Sequence, residues 1–442
     1  MAKILLINPP YFGNIYSNSK FRVVMSQGTM PLSLCCIAAP LLRAGHDVSI
    51  CDMNIGDNFD WRVQADRYDY LGITSTTPII KIVYDIIDSL CRANVNSRFI
   101  VGGTHATACP EEVSQYADFV CVGEGDNYIL SKVNPKVSSC SPKNLDDLPI
   151  PAYHLLDPPK YALPRLISRK NPVAYLQTSR GCFGKCSFCT KGVEGKKLRY
   201  KSPKRVVDEM EYVLSLGFRE VQIVDDNFTA DMDRVYHICD EIRIRKLNFP
   251  WYPRNGIRVD RCSYDLLKCM KDAGCYRVPF GVESGSQRII DKIGKGITLK
   301  EVESALFSAK KAGLETEAYF MIGLPSETED DLKKTLDFSR KINPDYAKVA
   351  NTIPFPGTKL YNDMDKNGQM ISKDWAKYHF AQSLREVYRH DVLSWDILDK
   401  YGNLFYKKFY FRPSKILQLI WLALRTGRFW SHVKTFLKTR WD

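Results

Sequence analysis

The sequence predicts an α/β protein of two parallel-sheet units in tandem: a Rossmann-like layer over residues 1–140 and a complete or partial β/α barrel over 171–370. A helical, basic C-terminal region follows over 371–442. Three observations carry this expectation. Short apolar runs alternate with helical stretches from Lys3 onward, which implies parallel strands with ligands at their carboxyl ends. A proline-rich stretch within 141–170, containing Leu148-Pro-Ile-Pro-Ala and Asp157-Pro-Pro-Lys, stiffens into an extended connection. The alternation resumes at Val173, where each apolar run ends in a polar or glycine-marked turn, the pattern of a β/α barrel.

In the first unit Lys3–Asn8 reads as a buried strand stopped by Pro9-Pro10, and Leu32–Arg43 as a helix stopped by Ala44-Gly45-His46. Val48–Cys51, Tyr70–Thr74, Phe99–Val101 and Phe119–Val122 are the next strands, with Ile79–Cys91 among the helices between them. The strand ends carry Asn8, then Ser75-Thr76-Thr77, then Gly102-Gly103-Thr104-His105, then Gly123-Glu124-Gly125-Asp126. Glycines there let the backbone approach a large ligand closely. His105 is either a metal-facing imidazole or a loop histidine that caps a backbone group. In the connection, Tyr153 and His154 either border the site or pack within the linker.

In the second unit Ser202-Pro203 caps a helix over Lys204–Leu216. Strands begin at Val221, which runs into Asp225 and Asp226, and at Trp251, ending at Arg258. The next begins at Tyr276 and runs through Glu283 and Ser284; Glu315–Met321 ends in Ile322-Gly323-Leu-Pro325, and Asp345–Asn351 precedes Ile353-Pro-Phe-Pro-Gly-Thr358. Catalytic groups of such barrels come from the strand carboxyl ends, so Asp225, Asp226, Arg258, Glu283, Ser284 and Gly323 form the expected rim.

Directly after the apolar run Val173–Leu176, Cys182, Cys186 and Cys189 crowd into eight positions. Closely spaced thiolates hold iron–sulfur clusters, and a four-iron cluster held by three leaves one iron open for a small ligand. A structural zinc site would want a fourth Cys or His nearby, and no histidine lies close. The fourteen cysteines come without a secretory signal, which points to a reducing, cytoplasmic compartment. Cys35, Cys36, Cys51, Cys121 and Cys239 sit in apolar runs as core residues; Cys262, Cys269 and Cys275 suggest a second cluster, but Cys262 and Cys269 fit a helical face and packing is the favoured reading. The net charge of +13 favours an anionic partner. No apolar run reaches the roughly 18 residues of a membrane-spanning helix, so a soluble body is expected.

The C-x3-C-x2-C spacing, with Phe188 before the last cysteine, resembles the signature of the radical S-adenosylmethionine (SAM) superfamily. The resemblance implies a [4Fe-4S] cluster on Cys182, Cys186 and Cys189 whose open iron chelates SAM, with Phe188 beside it. Met30-Pro31-Leu-Ser-Leu, Ala44-Gly-His-Asp-Val, Val101-Gly-Gly-Thr-His-Ala and Val122-Gly-Glu-Gly-Asp resemble, in that order, the cobalamin-binding domain at the front of one branch of that superfamily. That implies cobalamin contacts from Asn8, Pro31, Ser75, Thr76, Thr77, Gly102, Gly103, His105, Gly123, Glu124 and Gly125. The Asp-x-His-x-x-Gly motif of classical cobalamin proteins is missing, so the resemblance implies a cobalt approached from below by something other than histidine, with Ser75, Thr76 or Thr77 facing it. A domain of this fold that has lost its ligand is the alternative.

Val224-Asp-Asp-Asn-Phe-Thr, Gly281-Val-Glu-Ser-Gly-Ser and Ile322-Gly-Leu-Pro resemble the SAM-contacting strand ends of the same branch. For Asp226 and Arg258 an intra-barrel salt bridge competes with direct SAM contact. The implied activity is methylation of an unactivated carbon of a small or lipid-like substrate, fed by an external one-electron reductant of flavodoxin or ferredoxin type. Ring closure or oxidation within the same branch is the alternative, and the polar rim beside an open-iron motif speaks against a non-catalytic sensor.

In the last region Trp375–Tyr410 is expected to be an aromatic helix closing over the barrel. Ile416–Leu424 is apolar, and Phe429, Trp430, Val433, Phe436 and Leu437 recur at helical spacing with Arg428, Lys434, Lys438 and Arg440 on other faces. Such a basic amphipathic tail suits peripheral contact with the inner face of a membrane, although packing on the barrel serves the first segment equally well. Nucleic acid is disfavoured, because the basic residues alternate with aromatics and no binding motif accompanies them.

Overall fold

The computed structural model describes residues 1–11, 29–56, 64–126, 136–138, 141–190, 192–379, 383–431 and 433. Strands β1 (Lys3–Asn8), β2 (Asp47–Asp52), β3 (Tyr70–Ser75), β4 (Arg98–Gly103), β5 (Phe119–Val122) and β6 (Lys136–Ser138) form one sheet in the order β2-β1-β3-β4-β5-β6. Every pairing in it is parallel. Ile4 to Ile7 of β1 are all buried, as a strand covered on both faces requires. The helices Leu32–Arg43 and Ile80–Arg92 pack on the sheet through Leu34, Cys35 and Ala38 and through Ile80, Val83, Tyr84 and Ile87.

The second unit holds β7 (Val173–Leu176), β10 (Glu220–Ile223) and β11 (Trp251–Pro253) in one parallel sheet, and β12 (Arg277–Glu283), β13 (Glu315–Ile322) and β14 (Tyr346–Asn351) in another. Single parallel bridges, Trp251 to Cys275 and Ile257 to Phe280, join them into a six-stranded partial barrel. Strand β11 is shorter than the expected Trp251–Arg258. Pro253 donates no ladder hydrogen bond, and Gly256 turns the chain at φ +93° where a Cβ would lie 3.2 Å from the Pro279 carbonyl oxygen. A short antiparallel pair, β8 (Ser179–Arg180) with β9 (Arg199–Tyr200), closes the base of the cysteine loop and has no counterpart in the sequence expectation.

The expectation for 375–410 is corrected. The α-helix covers only Trp395–Tyr410, where Phe405 packs on Phe320 of β13 at 5.2 Å between ring centroids. The start of the preceding segment folds instead against the first unit. Trp375 Nε1 donates to Glu112 at 3.0 Å, and Asp374 pairs with Lys81 at 2.8 Å. Further on, the same segment returns to the barrel, where Tyr388 Oη donates to Thr352 O at 2.9 Å and Asp391 accepts from Ser326 N at 2.9 Å.

The helix Pro413–Arg425 lies across the amino ends of the barrel strands. Gln418 donates to Asp345 at 2.8 Å, and Lys415 reaches the Pro344 carbonyl. Just beyond it Arg428 joins Arg277 and Arg169 around Glu315 at the start of β13, and burial of that carboxyl is outweighed by the three guanidinium groups, which bring it down to about 2. Leu422 and Ala423 are buried while Ile416, Leu417, Ile420, Trp421 and Leu424 are exposed. The expected helix beyond Val433, with Lys434, Phe436, Leu437, Lys438 and Arg440, lies outside the described residues. Among the described residues no helix is long and apolar enough to cross a membrane.

Candidate active site

Strand β7 delivers the chain to a loop with three thiols. Gly181 sits at φ +86°, where a Cβ would come within 2.3 Å of the Lys197 carbonyl oxygen, so only glycine lets the loop leave β8 this tightly. A Cβ at Gly184 would stand 3.4 Å from Cys182 Sγ and 3.9 Å from Cys186 Sγ; two sulfurs thus converge on bare backbone. Cys189 is exposed, its Sγ 3.7 Å from the Thr190 carbonyl oxygen. Three thiols on one short loop, two of them around Gly184, are a donor set that fits [4Fe-4S] with one open corner. The loop is tied down behind the sulfurs: Ser187 N donates to Ile293 O and Leu360 N to Ser187 O, both at 2.9 Å. Phe188 packs on a small apolar cluster of Ile289, Ile293 and Leu324.

Two buried polar latches hold the entry to this loop. Asp225, at the end of β10, accepts from Thr178 N, Thr178 Oγ1 and Ser179 Oγ, each at 2.6 Å. Arg180 donates to Glu124 at 2.6 Å and to Asp126 at 2.6 and 3.0 Å. Arg199 grips the other face of Glu124 and the Pro142 carbonyl. Asp225 and Glu124, expected to face ligands, are therefore spent on positioning the cysteine loop and on locking it to the N-terminal unit.

At the rim, Arg258 forms its ion pair with Asp260 rather than Asp226, at 2.8 and 3.1 Å, and also donates to Lys295 O at 3.1 Å. Its guanidinium nevertheless stays 3.7 Å from the Gly184 cradle and lies over the Phe183 ring. Glu283 ends β12 at φ +66°, where the register slips between Gly281 and Glu283, a conformation unfavourable for a non-glycine residue and one that re-aims its side chain. Its carboxylate binds Lys295 Nζ at 2.6 Å. Burial works against that ammonium, but Glu283 and the Cys186 sulfur outweigh it and hold its pKa above the usual lysine value. Ser284 Oγ pairs with Thr335 Oγ1 at 3.1 Å. The Gly323 N–H donates to Glu327 at 2.7 Å, and burial pushes that carboxyl up to about 8. Asp226 is exposed and stands beside Glu194, whose carboxyl burial, then Asp226, push up to about 7. Glu194, Glu327, Lys295 and Arg199 escaped the sequence reading, since none lies at the carboxyl end of an expected strand or in a motif.

On the facing unit, Ser75 Oγ donates to Gly102 O at 2.8 Å, and the side chain of Asn8 is held by Asp52 at 2.9 Å. Pro31 stands at the N-cap of the helix Leu32–Arg43. Thr76 Oγ1 is sheltered from solvent without a hydrogen-bond partner. A Cβ at Gly103 (φ +106°) would lie 2.3 Å from Ser75 O, so the ends of β3 and β4 close together as backbone. Thr107 Oγ1 accepts from Gly123 N at 3.0 Å, and Gly125 lies under Ile37. The orphaned Thr76 hydroxyl and this glycine-lined edge fit a large flat ligand. His105 is buried against Trp375, 3.2 Å from Thr77 Oγ1 and 3.6 Å from Glu112; burial lowers its pKa, with Glu112 pulling the other way. Tyr153 is buried and donates to Tyr175 O, so this part of the connection is packed structure. Cys269 pairs with Cys239, while Cys262 and Cys275 each bond a backbone carbonyl, an arrangement of packing rather than of a second cluster.

The strand carboxyl ends of both units face each other. Besides the Arg180 latch, a Cβ at Gly192 would meet Thr107 Cγ2 at 3.3 Å, and one at Gly357 would meet Ala108 Cβ at 3.3 Å. Family comparison agrees with this architecture: residues 176–339 match the Radical SAM superfamily and residues 22–130 the B12 binding domain. An uncharacterized methyltransferase of Pyrococcus horikoshii is 30% identical over 95% of this chain and 94% of its own length. An anaerobic magnesium-protoporphyrin IX monomethyl ester cyclase of Rubrivivax gelatinosus is 26% identical over 80% of this chain and 69% of its own. Among solved structures, the cobalamin-dependent S-adenosylmethionine radical enzyme OxsB, with aqua-cobalamin and S-adenosylmethionine bound, superposes with a TM-score of 0.71 at 17% identity, covering 98% of this chain and 72% of OxsB.

Proposed function

Because the chain belongs to the radical SAM superfamily and carries its B12-binding domain in front, we propose that it methylates an unactivated carbon of an organic substrate held between the two units. The observation that carries this reading is the apposition of the two sets of strand carboxyl ends, which leaves the cysteine loop and the glycine-lined edge on either side of one interface. In this reading Cys182, Cys186 and Cys189 hold the cluster, and Thr76, Gly103 and Gly125 border the corrin. When bound, the cluster supplies the electron that cleaves SAM and cobalamin supplies the methyl group.

The chain's own residues do the positioning. The Glu283 carboxylate and the Gly323 backbone meet the ammonium and hydroxyl groups of SAM, and the Lys295 ammonium beside Cys186 steadies negative charge at the thiolates. Asp225 fixes the loop entry. An external one-electron carrier is required, because each reductive cleavage of SAM consumes an electron that protein side chains do not supply.

The relative that closes a ring keeps cyclisation as the second reading. Incubating the anaerobically reconstituted protein with its substrate, cobalamin, reductant and methyl-labelled SAM separates the two. Methylation predicts S-adenosylhomocysteine alongside deoxyadenosine; deoxyadenosine alone, with no homocysteine product, favours cyclisation or oxidation.

The exposed row Ile416, Leu417, Ile420, Trp421 and Leu424, beside Arg412 and Arg425, supports peripheral contact with an anionic membrane from the cytoplasmic side. This helix caps the amino ends of the barrel strands, opposite the cysteine loop. Such contact would therefore anchor the enzyme without bringing the barrel mouth to the lipid, and it gives no separate support for a lipid-like substrate.

A further inference from the structure

Strand β4 runs into two short helices, Thr104–Ala108 and Pro110–Val113, with Cys109 as the non-helical hinge between them at φ −132° and ψ 55°. Cys109 N donates to His105 O at 2.8 Å and Val113 N to Cys109 O at 3.2 Å, which fixes the fold of the turn. It brings an imidazole nitrogen of His105, the thiol sulfur of Cys109 and a carboxylate oxygen of Glu112 within 4.8 Å of one another. His105 is fully buried, whereas Cys109 and Glu112 are half-buried and reach solvent.

The imidazole is only half used. Its Nδ1 lies 3.2 Å from Thr77 Oγ1, while Nε2 is sheltered from solvent and has no hydrogen-bond partner among the described residues. Glu112 Oε1 stands 3.6 Å from Nε2, too far for a hydrogen bond. That gap suits two ligands of one ion. With bonds of about 2.0 Å from nitrogen or oxygen and about 2.3 Å from sulfur, ligand atoms around a tetrahedral zinc stand about 3.3–3.5 Å apart. The widest separation in the trio, at most 4.8 Å, closes to that value by side-chain movement of about 1.3 Å.

The outer partners of such a site are in place. Tyr84 Oη donates to Glu112 Oε1 at 2.9 Å and Trp375 Nε1 to Oε2 at 3.0 Å, which orients the carboxylate and leaves lone pairs unused. With Nδ1 protonated and donating to Thr77, the Nε2 lone pair points to the same place.

We propose that His105 Nε2, Cys109 Sγ and a Glu112 carboxylate oxygen form a zinc site, with water as the fourth ligand, separate from the cysteine triad. One thiolate, one imidazole and one carboxylate are too soft a set for magnesium or calcium and suit zinc. On binding, the Sγ–H bond breaks, the sulfur–zinc bond forms and the proton leaves to solvent; nothing is oxidised or reduced. The ion clips the turn after β4 to Thr77 at the end of β3 and, through Glu112, to Trp375 of the C-terminal region. It is a structural clip, and its existence does not depend on which reaction the cysteine triad supports.

The test uses the full chain with its iron–sulfur cluster reconstituted, desalted into thiol-free anaerobic buffer, and zinc alone as the probe. Retained zinc is counted by elemental mass spectrometry, its affinity is measured by competition with a chromophoric chelator, and its ligands are read by X-ray absorption at the zinc edge, where iron does not contribute. The native chain should hold one zinc with a single sulfur at about 2.3 Å and nitrogen or oxygen neighbours at about 2.0 Å. Cys109→Ser and His105→Gln should each weaken binding at least about tenfold, and Cys109→Ser should erase the sulfur shell. Cys91→Ser removes an exposed thiol elsewhere and should bind as the native chain does. Failure of the native chain to retain zinc, or equal affinity in native and both site variants, would overturn the proposal. So would any sulfur count other than one in the native chain, three or more placing the ion on Cys182, Cys186 and Cys189. That count decides the matter even where a variant fails to fold.

Discussion

Replacing Arg180 by Met should open the joint between the two units while leaving all three cysteines in place. Arg180 is the charged partner of Asp126 and shares Glu124 with Arg199, and all of these side chains are at most 7% exposed. Removing one member of a buried ion pair costs about 3–5 kcal/mol, because the surviving charge is stranded in a poor solvent. Glu124 keeps Arg199, so the loss falls mainly on Asp126, and the expected cost lies near 3 kcal/mol. If stranding is the cause, adding Asp126→Asn should return more than half of it, a coupling of about 1.5 kcal/mol or more. A two-domain chain need not unfold in one step, so the measurement is native-state hydrogen exchange over β5, β8 and β9, with trypsin cleavage within 141–170 as a second observable. A cost under about 1 kcal/mol, or strictly additive effects of the two substitutions, would refute the view that this network welds the cysteine loop to the N-terminal unit.

Replacing Cys182, Cys186 and Cys189 together by Ala should abolish both the visible absorbance of the reconstituted cluster and SAM cleavage; a full cluster in that variant would move the site to other cysteines. His105→Ala should leave the electron paramagnetic resonance of cobalamin-loaded protein without protein imidazole coupling, as in the native chain, because His105 is buried against Trp375 and Thr77; nitrogen hyperfine coupling in the native spectrum would contradict it. Glu194 has a folded pKa of about 7 against an ordinary 4.5, so the unfolded chain binds fewer protons between those values and stability should fall as pH rises through that window. Glu194→Gln should flatten that slope by at most about 3 kcal/mol, and parallel urea-unfolding profiles from pH 4.5 to 7 would contradict the assignment. Trp421→Glu should weaken cosedimentation with vesicles rich in anionic lipid without affecting SAM cleavage, and equal sedimentation of both proteins would remove the membrane reading.

Much of the fold was legible because hydrophobic period and stop signals coincide. Leu32–Arg43 has an apolar face and ends at Ala44-Gly45, and the helix runs between those residues. Where the signals part, the reading failed. Trp251–Arg258 looks like one strand from its aromatic start, yet Pro253 and Gly256 end the ladder after three residues. Trp375–Tyr410 has the aromatic content of a packed helix, but its start is held by Glu112 of the N-terminal unit, a contact that spans 263 positions for the indole. No local pattern encodes such a partner.

The site shows the same division for a deeper reason. Cysteine spacing is local chemistry, and the thiols stand where the spacing put them; Asp225 and Glu124 were found by a positional rule, that polar residues at strand carboxyl ends face ligands. In this chain the carboxyl ends of one sheet also form the face on which the other unit packs, so the rule selects ligand contacts and domain joints without distinction. Charge separates them. A buried carboxylate needs a cation or several donors: at the joint Glu124 has Arg180 and Arg199, and within the barrel Asp225 accepts from the neutral donors of Thr178 and Ser179. Gly103 lacks a side chain because a Cβ there would stand 2.3 Å from the Ser75 carbonyl oxygen, whereas a Cβ at Gly184 would meet the Cys182 sulfur at 3.4 Å. The acidic residues Glu124 and Asp225 thus read as struts of the joint and of the loop entry, while the Thr76 hydroxyl is left without a partner at the end of β3.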